Sequence, residues 1–175
     1  MKFRNLLELI GLHSRTKHYN YTVKDFDLQN GQIIKYAQWL HPSDAQKSIT
    51  NEQVKAYREH LSPGDFCIDI GAHSGDSTLP MAMAAGLNGC VLALEPNPYI
   101  YHVLEKNARA NQHLVNIKTI MAAATRYEGF IEFEYSDSAY CNGGRHKGMG
   151  VFKHGHMFKL NVFGINLTSE LKSDY

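Results

Sequence analysis

The spacing of apolar positions along this chain changes period at Phe66. Before it, residues 19–40 alternate as β-structure does. Gln29-Asn30-Gly31 interrupts them, and Asn-Gly between alternating runs predicts a hairpin of 21–28 with 32–39. Residues 1–12 carry apolar positions at helical spacing and predict an amphipathic first helix. Thr50-Asn51-Glu52-Gln53 supplies cap-type residues for a helix running to about Leu61, where Ser62-Pro63-Gly64-Asp65 stops it. From Phe66 short apolar runs alternate with helical segments: strand 66–70, helix 75–86, strand 90–95, helix 97–110, strand 115–121. Asn97-Pro98 opens the second of these helices, with Asn as cap and Pro in the first turn. That rhythm predicts an α/β fold with a Rossmann-like, doubly wound, mostly parallel sheet.

After Met121 the period changes again. Residues 130–135 alternate as an antiparallel strand does, and 157–163 read as another. Between them 136–156 is rich in Gly, Ser, His and Lys, a loop long enough to be functional or disordered. Only three parallel strands precede Tyr175, so the half of the sheet beyond the first strand is expected to be missing. The expected organisation is a helix, hairpin and helix over 1–62, packed on a partial ligand-binding domain over 63–175. A sheet open at its first strand is expected to self-associate, to join its missing C-terminal part, or to be covered by 157–171 folding back.

The 175 residues suit one domain with a buried core. Eighteen Lys and Arg stand against 17 Asp and Glu, for a formal net charge of +1. That balance offers nucleic acid no basic stripe, so none is expected as partner. No run approaches the roughly 20 apolar residues that span a bilayer, and no membrane partner is expected. The N-terminal apolar run is short, broken by Glu8, and lacks a signal cleavage pattern. Cys67, Cys90 and Cys141 form no disulfide or zinc framework, which favours a reducing cytoplasm; the sequons at Asn20 and Asn166 would be idle there.

The chemistry concentrates in Asp69-Ile70-Gly71-Ala72-His73-Ser74-Gly75 and in Ala93-Leu94-Glu95-Pro96-Asn97. Each ends an apolar strand, and Glu95 lies 20 positions beyond Gly75, room for a helix between them. Glycines let backbone approach a nucleotide-type ligand, and an acid ending the next strand accepts hydrogen bonds from ribose hydroxyls. The pattern is acid-x-Gly-x-x-x-Gly. It lacks the third glycine of a dinucleotide fingerprint and the Gly-Lys-Ser/Thr of a P-loop, which disfavours an NAD-linked oxidoreductase. An acid beside the turn repels phosphate and suits an ammonium group. S-adenosylmethionine, with an amino-acid tail, a sulfonium, a ribose diol and no phosphate, fits that chemistry.

Residues 66–129 resemble class I S-adenosylmethionine-dependent methyltransferases, and within them the FkbM family. The resemblance rests on Asp69–Thr78, on Ala93-Leu94-Glu95-Pro96-Asn97-Pro98, on Leu104–Asn111, and on Ala122-Ala123-Ala124 with Gly129. It implies O-methylation of a small-molecule acceptor such as a sugar hydroxyl, with S-adenosylmethionine as cofactor. It also implies that Asp69, Gly71, Ala72, His73 and Gly75 line the methionine and ribose end. Glu95 would hold the ribose hydroxyls, Pro96 and Asn97 would border the adenine, and Met121-Ala122-Ala123 would flank its other edge. Asp69 capping the next turn, and glycines serving only tight packing, is the plainer alternative for these residues. The family pattern continues into a strand with an Asp-x-Glu-Gly-type segment near the acceptor, and this sequence stops before it. A cofactor-binding but inactive remnant is therefore the alternative to an active enzyme.

No catalytic base is assigned by the motif. His73 is the one candidate, and a loop residue near the ligand is its simpler reading. Arg145-His146-Lys147 and His154-Gly155-His156 offer a metal-type His-x-His pair, yet no acid or cysteine completes a set. A solvated basic loop touching an anionic acceptor, or no site at all, is expected there, and no metal. Tyr99, Tyr101, Tyr135 and Tyr140 are aromatic candidates for adenine or acceptor, with core packing as the default.

Overall fold

The computed structural model describes residues 18–29, 31–136 and 157–168. The expectations for the N-terminal helix, for Asn30, for Tyr140 and Cys141, and for the Arg145–His156 segment lie outside the described residues.

Strand β1 (Tyr21–Asp27) pairs antiparallel with β2 (Ile33–Trp39), from Tyr21 opposite Trp39 to Asp27 opposite Ile33. Leu28 N–H donates to the Gln32 carbonyl at 3.0 Å, which closes the hairpin around 29–31 where the sequence predicts the turn. Helix α1 (Asn51–Arg58) starts at a capping box: Thr50 accepts from Gln53 N–H, and the Gln53 side chain accepts from Thr50 N–H at 2.8 Å. The alternating segment follows as β3 (Phe66–Ile70), α2 (Thr78–Ala85), β4 (Cys90–Leu94), α3 (Pro98–Ala110) and β5 (Ile117–Ile120). Helix α2 begins three residues later than the sequence predicts, because 71–77 are spent in a glycine-bounded turn.

The three parallel strands lie in the order β3-β4-β5. Their register fixes the two faces. Cys67 and Asp69, Val91 and Ala93, and Ile117 and Thr119 share one face; Ile68 and Ile70, Leu92 and Leu94, and Lys118 and Ile120 share the other. On the first face Cys67 and Val91 join a core with Val54 of α1, Leu79 and Met83 of α2, and Leu28, Ile34 and Tyr36 of the hairpin. Ala93 packs with Leu104 of α3. The N-terminal hairpin and the sheet therefore share one core. Helices α1, α2 and α3 cover this face.

The second face receives a different layer. After β6 (Ala123–Ala124), β7 (Gly129–Ser136) and β8 (Met157–Ile165) form an antiparallel pair, and β6 joins β8 in parallel. Ile165 and Leu167 pack on Ile68, Leu92, Leu94 and Ile120. Strand β8 is paired to β6 and β7, so 157–165 do not fold back along β3. That alternative for closing the sheet is corrected: β3 has no strand on its outer side among the described residues.

Candidate functional site

The site builds up at the carboxyl ends of β3 and β4, where an open parallel sheet presents its crevice. The last carbonyl of β4, Leu94, accepts from both Gly71 N–H and Ala72 N–H at 2.9 Å, which bends the chain sharply off β3. The turn then closes with Gly75 N–H on the Ala72 carbonyl at 2.8 Å. Gly71, His73 and Gly75 take φ of +79°, +52° and +89°. Glycine takes such angles freely, and His belongs to the few side chains enriched there. A Cβ on Gly71 would meet nothing within 4 Å, so its outer side is open; one on Gly75 would sit 3.0 Å from Leu104 Cδ1. Gly71 thus borders free space, whereas Gly75 lets the turn sit against α3.

Glu95 follows β4 directly and is 7% exposed. Its Oε2 accepts from His73 N–H and its Oε1 from Asn97 N–H, both at 2.8 Å. One carboxylate therefore ties the turn after β3 to the turn after β4. Two oxygens offer about four acceptor positions, so each retains one for a ligand hydroxyl. Burial raises the Glu95 pKa above the usual carboxylate value, while the two N–H donors and the Asp69 charge act as smaller influences, the donors downward and Asp69 upward.

Asp69 is engaged within the fold. Its Oδ2 accepts from Thr78 Oγ1 at 2.6 Å, tying the end of β3 to the first turn of α2. Asn97 caps α3, its Oδ1 accepting from Tyr99 N–H at 3.0 Å with Pro98 following. Ala72 is buried with Ala93 and Leu104, and Ala122 with Leu92, Leu94 and Ile165. The side chains of Ala72 and Ala122 are thus core, leaving backbone as what they can offer a ligand. Pro96 and Met121 line one apolar cavity of 190 Å³ with Pro98, Phe130, Leu160 and Phe163. The structure thereby brings the residues after β4 and β5, Pro96 and Met121, to a common space.

Other residues reach the site from elements the motif does not include. Tyr135 of β7 is fully buried, and its hydroxyl pKa is raised by burial and by the Glu95 charge. Tyr36 of β2 shares a 2.7 Å hydrogen bond with Ser74 Oγ inside the turn. Trp39 meets His73 edge-on at 5.9 Å between centroids and stacks on His41 at 4.7 Å. Burial holds the His73 imidazole below its ordinary pKa, with Asp76 opposing and Lys47 and His41 adding to the effect. Asp76 in turn lies 3.0 Å from Lys47 Nζ. His73 is thus a partly buried side chain of the turn, packed against Trp39. Among the described residues no helix is long and apolar enough to cross a membrane.

No protein-family model matches the chain. A curated protein-L-isoaspartate O-methyltransferase of Caenorhabditis elegans is 34% identical to it over 77 residues, which are 43% of this chain and 34% of that protein. The chain thus spans about a third of the length of this relative. Among solved structures, TYW2 of P. horikoshii in complex with MeSAdo is similar with a TM-score of 0.44 and 22% identity, over 66% of this chain and 44% of that one. Aeropyrum pernix fibrillarin with natively bound S-adenosyl-L-methionine is similar with a TM-score of 0.35 and 17% identity, over 63% of this chain and 54% of that one.

Proposed function

We propose that this chain binds S-adenosylmethionine at the Gly71–Gly75 turn and serves an FkbM-type O-methyltransferase whose acceptor is a small molecule with a hydroxyl group, such as a sugar. The observation that carries the reading is the buried Glu95 carboxylate, which joins the two turns at the ends of adjacent parallel strands and keeps acceptor positions for a ribose diol. The turn contains no Lys or Arg to meet a pyrophosphate, and its glycine pattern is not that of a dinucleotide site. Partial identity with a protein O-methyltransferase supports the same chemistry.

In this reading Glu95 accepts from the ribose hydroxyls, and the apolar cavity between Pro96 and Met121 takes the adenine. Gly71 gives its open side to the methionine end, with the Asp69 carboxylate near its ammonium. The cofactor, when bound, supplies a methyl group activated by a sulfonium. The protein's contribution is mainly positional, since in-line displacement at that methyl gains most from holding donor and acceptor oxygen aligned. His73, kept neutral by burial, is the one side chain of the turn able to take a proton from the acceptor hydroxyl.

Transfer of labelled methyl from S-adenosylmethionine into a panel of sugar and other hydroxyl acceptors tests this function. Label in an acceptor, lost on replacing Glu95, is expected. Cofactor binding with no transfer to any acceptor by this chain or a longer version of it would favour the inactive remnant instead.

A further inference from the structure

Two asparagines four residues apart, Asn107 in α3 and Asn111 capping its C-terminus, dock the helix on the edge of β2 that faces away from β1. Asn111 Oδ1 accepts from Lys35 N–H at 2.9 Å, and its Nδ2 donates to the Lys35 carbonyl at 2.7 Å. Asn107 repeats the arrangement two residues along the strand, accepting from Ala37 N–H at 2.5 Å and donating to the Ala37 carbonyl at 3.1 Å. Each amide thus imitates a neighbouring strand and satisfies both backbone groups of one residue. A primary amide has a second N–H to place. Asn111 gives it to the Asn107 carbonyl within its own helix, at 2.8 Å. Asn107 gives it to the Ser74 carbonyl in the ligand turn, also at 2.8 Å.

Ser74 sits between two residues of positive φ, His73 at +52° and Gly75 at +89°, and is 0% exposed. Its hydroxyl is held by Tyr36 of the same strand β2. Carbonyl and hydroxyl are therefore fixed from opposite ends, one by helix and one by hairpin. His73, one residue before, donates its N–H to Glu95. Anything that frees Ser74 frees the donor that orients the Glu95 carboxylate.

Building on the S-adenosylmethionine reading above, we infer that Asn107 is a positioning residue: from outside ligand contact it holds the Gly71–Gly75 turn, and through His73 the Glu95 carboxylate, in the shape the nucleoside needs. Asn111 is the internal control, with the same side chain, helix and strand but no bond to the turn.

The test compares Asn107→Ala, Asn111→Ala and Tyr36→Phe in the full chain by two readouts. Amide exchange at His73 and Gly75 is measured without ligand, and the dissociation constant of S-adenosylhomocysteine is measured per folded molecule. Both asparagine variants are expected to melt at lower temperature. Of these two, Asn107→Ala alone is expected to speed exchange in the turn and to weaken binding about tenfold, with Asn111→Ala within about twofold of wild type. Tyr36→Phe, which keeps the ring packing, is expected to weaken binding about threefold or more. Equal exchange and equal affinity in Asn107→Ala and Asn111→Ala would overturn the inference. If Asn107→Ala does not fold, unchanged exchange and affinity in Tyr36→Phe overturns it. Faster exchange in a protein whose wild type binds no S-adenosylhomocysteine overturns the functional reading and leaves the hold on the turn standing.

Discussion

Replacing Glu95 by alanine removes the carboxylate that His73 and Asn97 share, and with it the acceptor proposed for the ribose. A charge-assisted hydrogen bond contributes about 1.5–3 kcal/mol, so affinity for S-adenosylhomocysteine is expected to fall about tenfold or more. Unchanged affinity in a folded Glu95→Ala protein contradicts the assignment. The two glycines separate along a different line. Alanine at either meets the left-handed penalty of roughly 1–2 kcal/mol, and at Gly75 it also meets Leu104. Gly75→Ala is expected to lose more thermal stability, whereas Gly71→Ala is expected to lose more binding per folded molecule because its Cβ enters the open side. The reverse order would make Gly71 a packing glycine.

His73 gives a pH signature. Its folded pKa is lowered, so the unfolded state takes up a proton first as pH falls. The associated stability is complete above the unfolded value of about 6.5 and is lost as pH drops through the folded value. His102 shifts in the same direction and Glu95 in the opposite one, so the informative quantity is a difference. His73→Asn, a residue that tolerates the same φ, is expected to flatten the loss of melting temperature between neutral and acid pH. A parallel slope would place the histidine in water. At this scale Glu95 and the glycines were readable because each ends or bends an apolar run. The bonds of Tyr36 and Asn107 to Ser74 were not, since those partners lie far away in sequence and such a bond leaves no local period.

Among the elements, α1 rests on a short polar start. Thr50→Ala breaks the capping box and is expected to cost about 0.5–2 kcal/mol of stability, read as a lower denaturation midpoint with an unchanged m-value. No loss would mean that burial of Val54 alone sets the helix. Strands β3 and β4 and helix α3 were legible nearly to the residue, because continuous apolar runs and an Asn-Pro cap are strong signals. The two-residue β6 was invisible, as it exists only through its pairing with Gly164 and Ile165. The hairpin was legible in kind and in place, since Asn-Gly marked its turn.

For the whole molecule, the alternation of strands and helices revealed the parallel sheet, but not that β8 would send Ile165 onto the face opposite α1, α2 and α3. The outer edge of β3 is open among the described residues, with Ile70 62% and Phe66 40% exposed. An edge of this kind recruits strands, so light scattering is expected to find a dimer or larger species at micromolar concentration. A monodisperse monomer would show that edge to be tolerated. The central claim is that the turn and Glu95 recognise a nucleoside that carries an amino acid and no phosphate. Isothermal titration of the chain with S-adenosylhomocysteine and, separately, with NAD measures this directly. Saturable one-to-one binding of S-adenosylhomocysteine with no heat from NAD is expected; binding of NAD without S-adenosylhomocysteine would contradict the account.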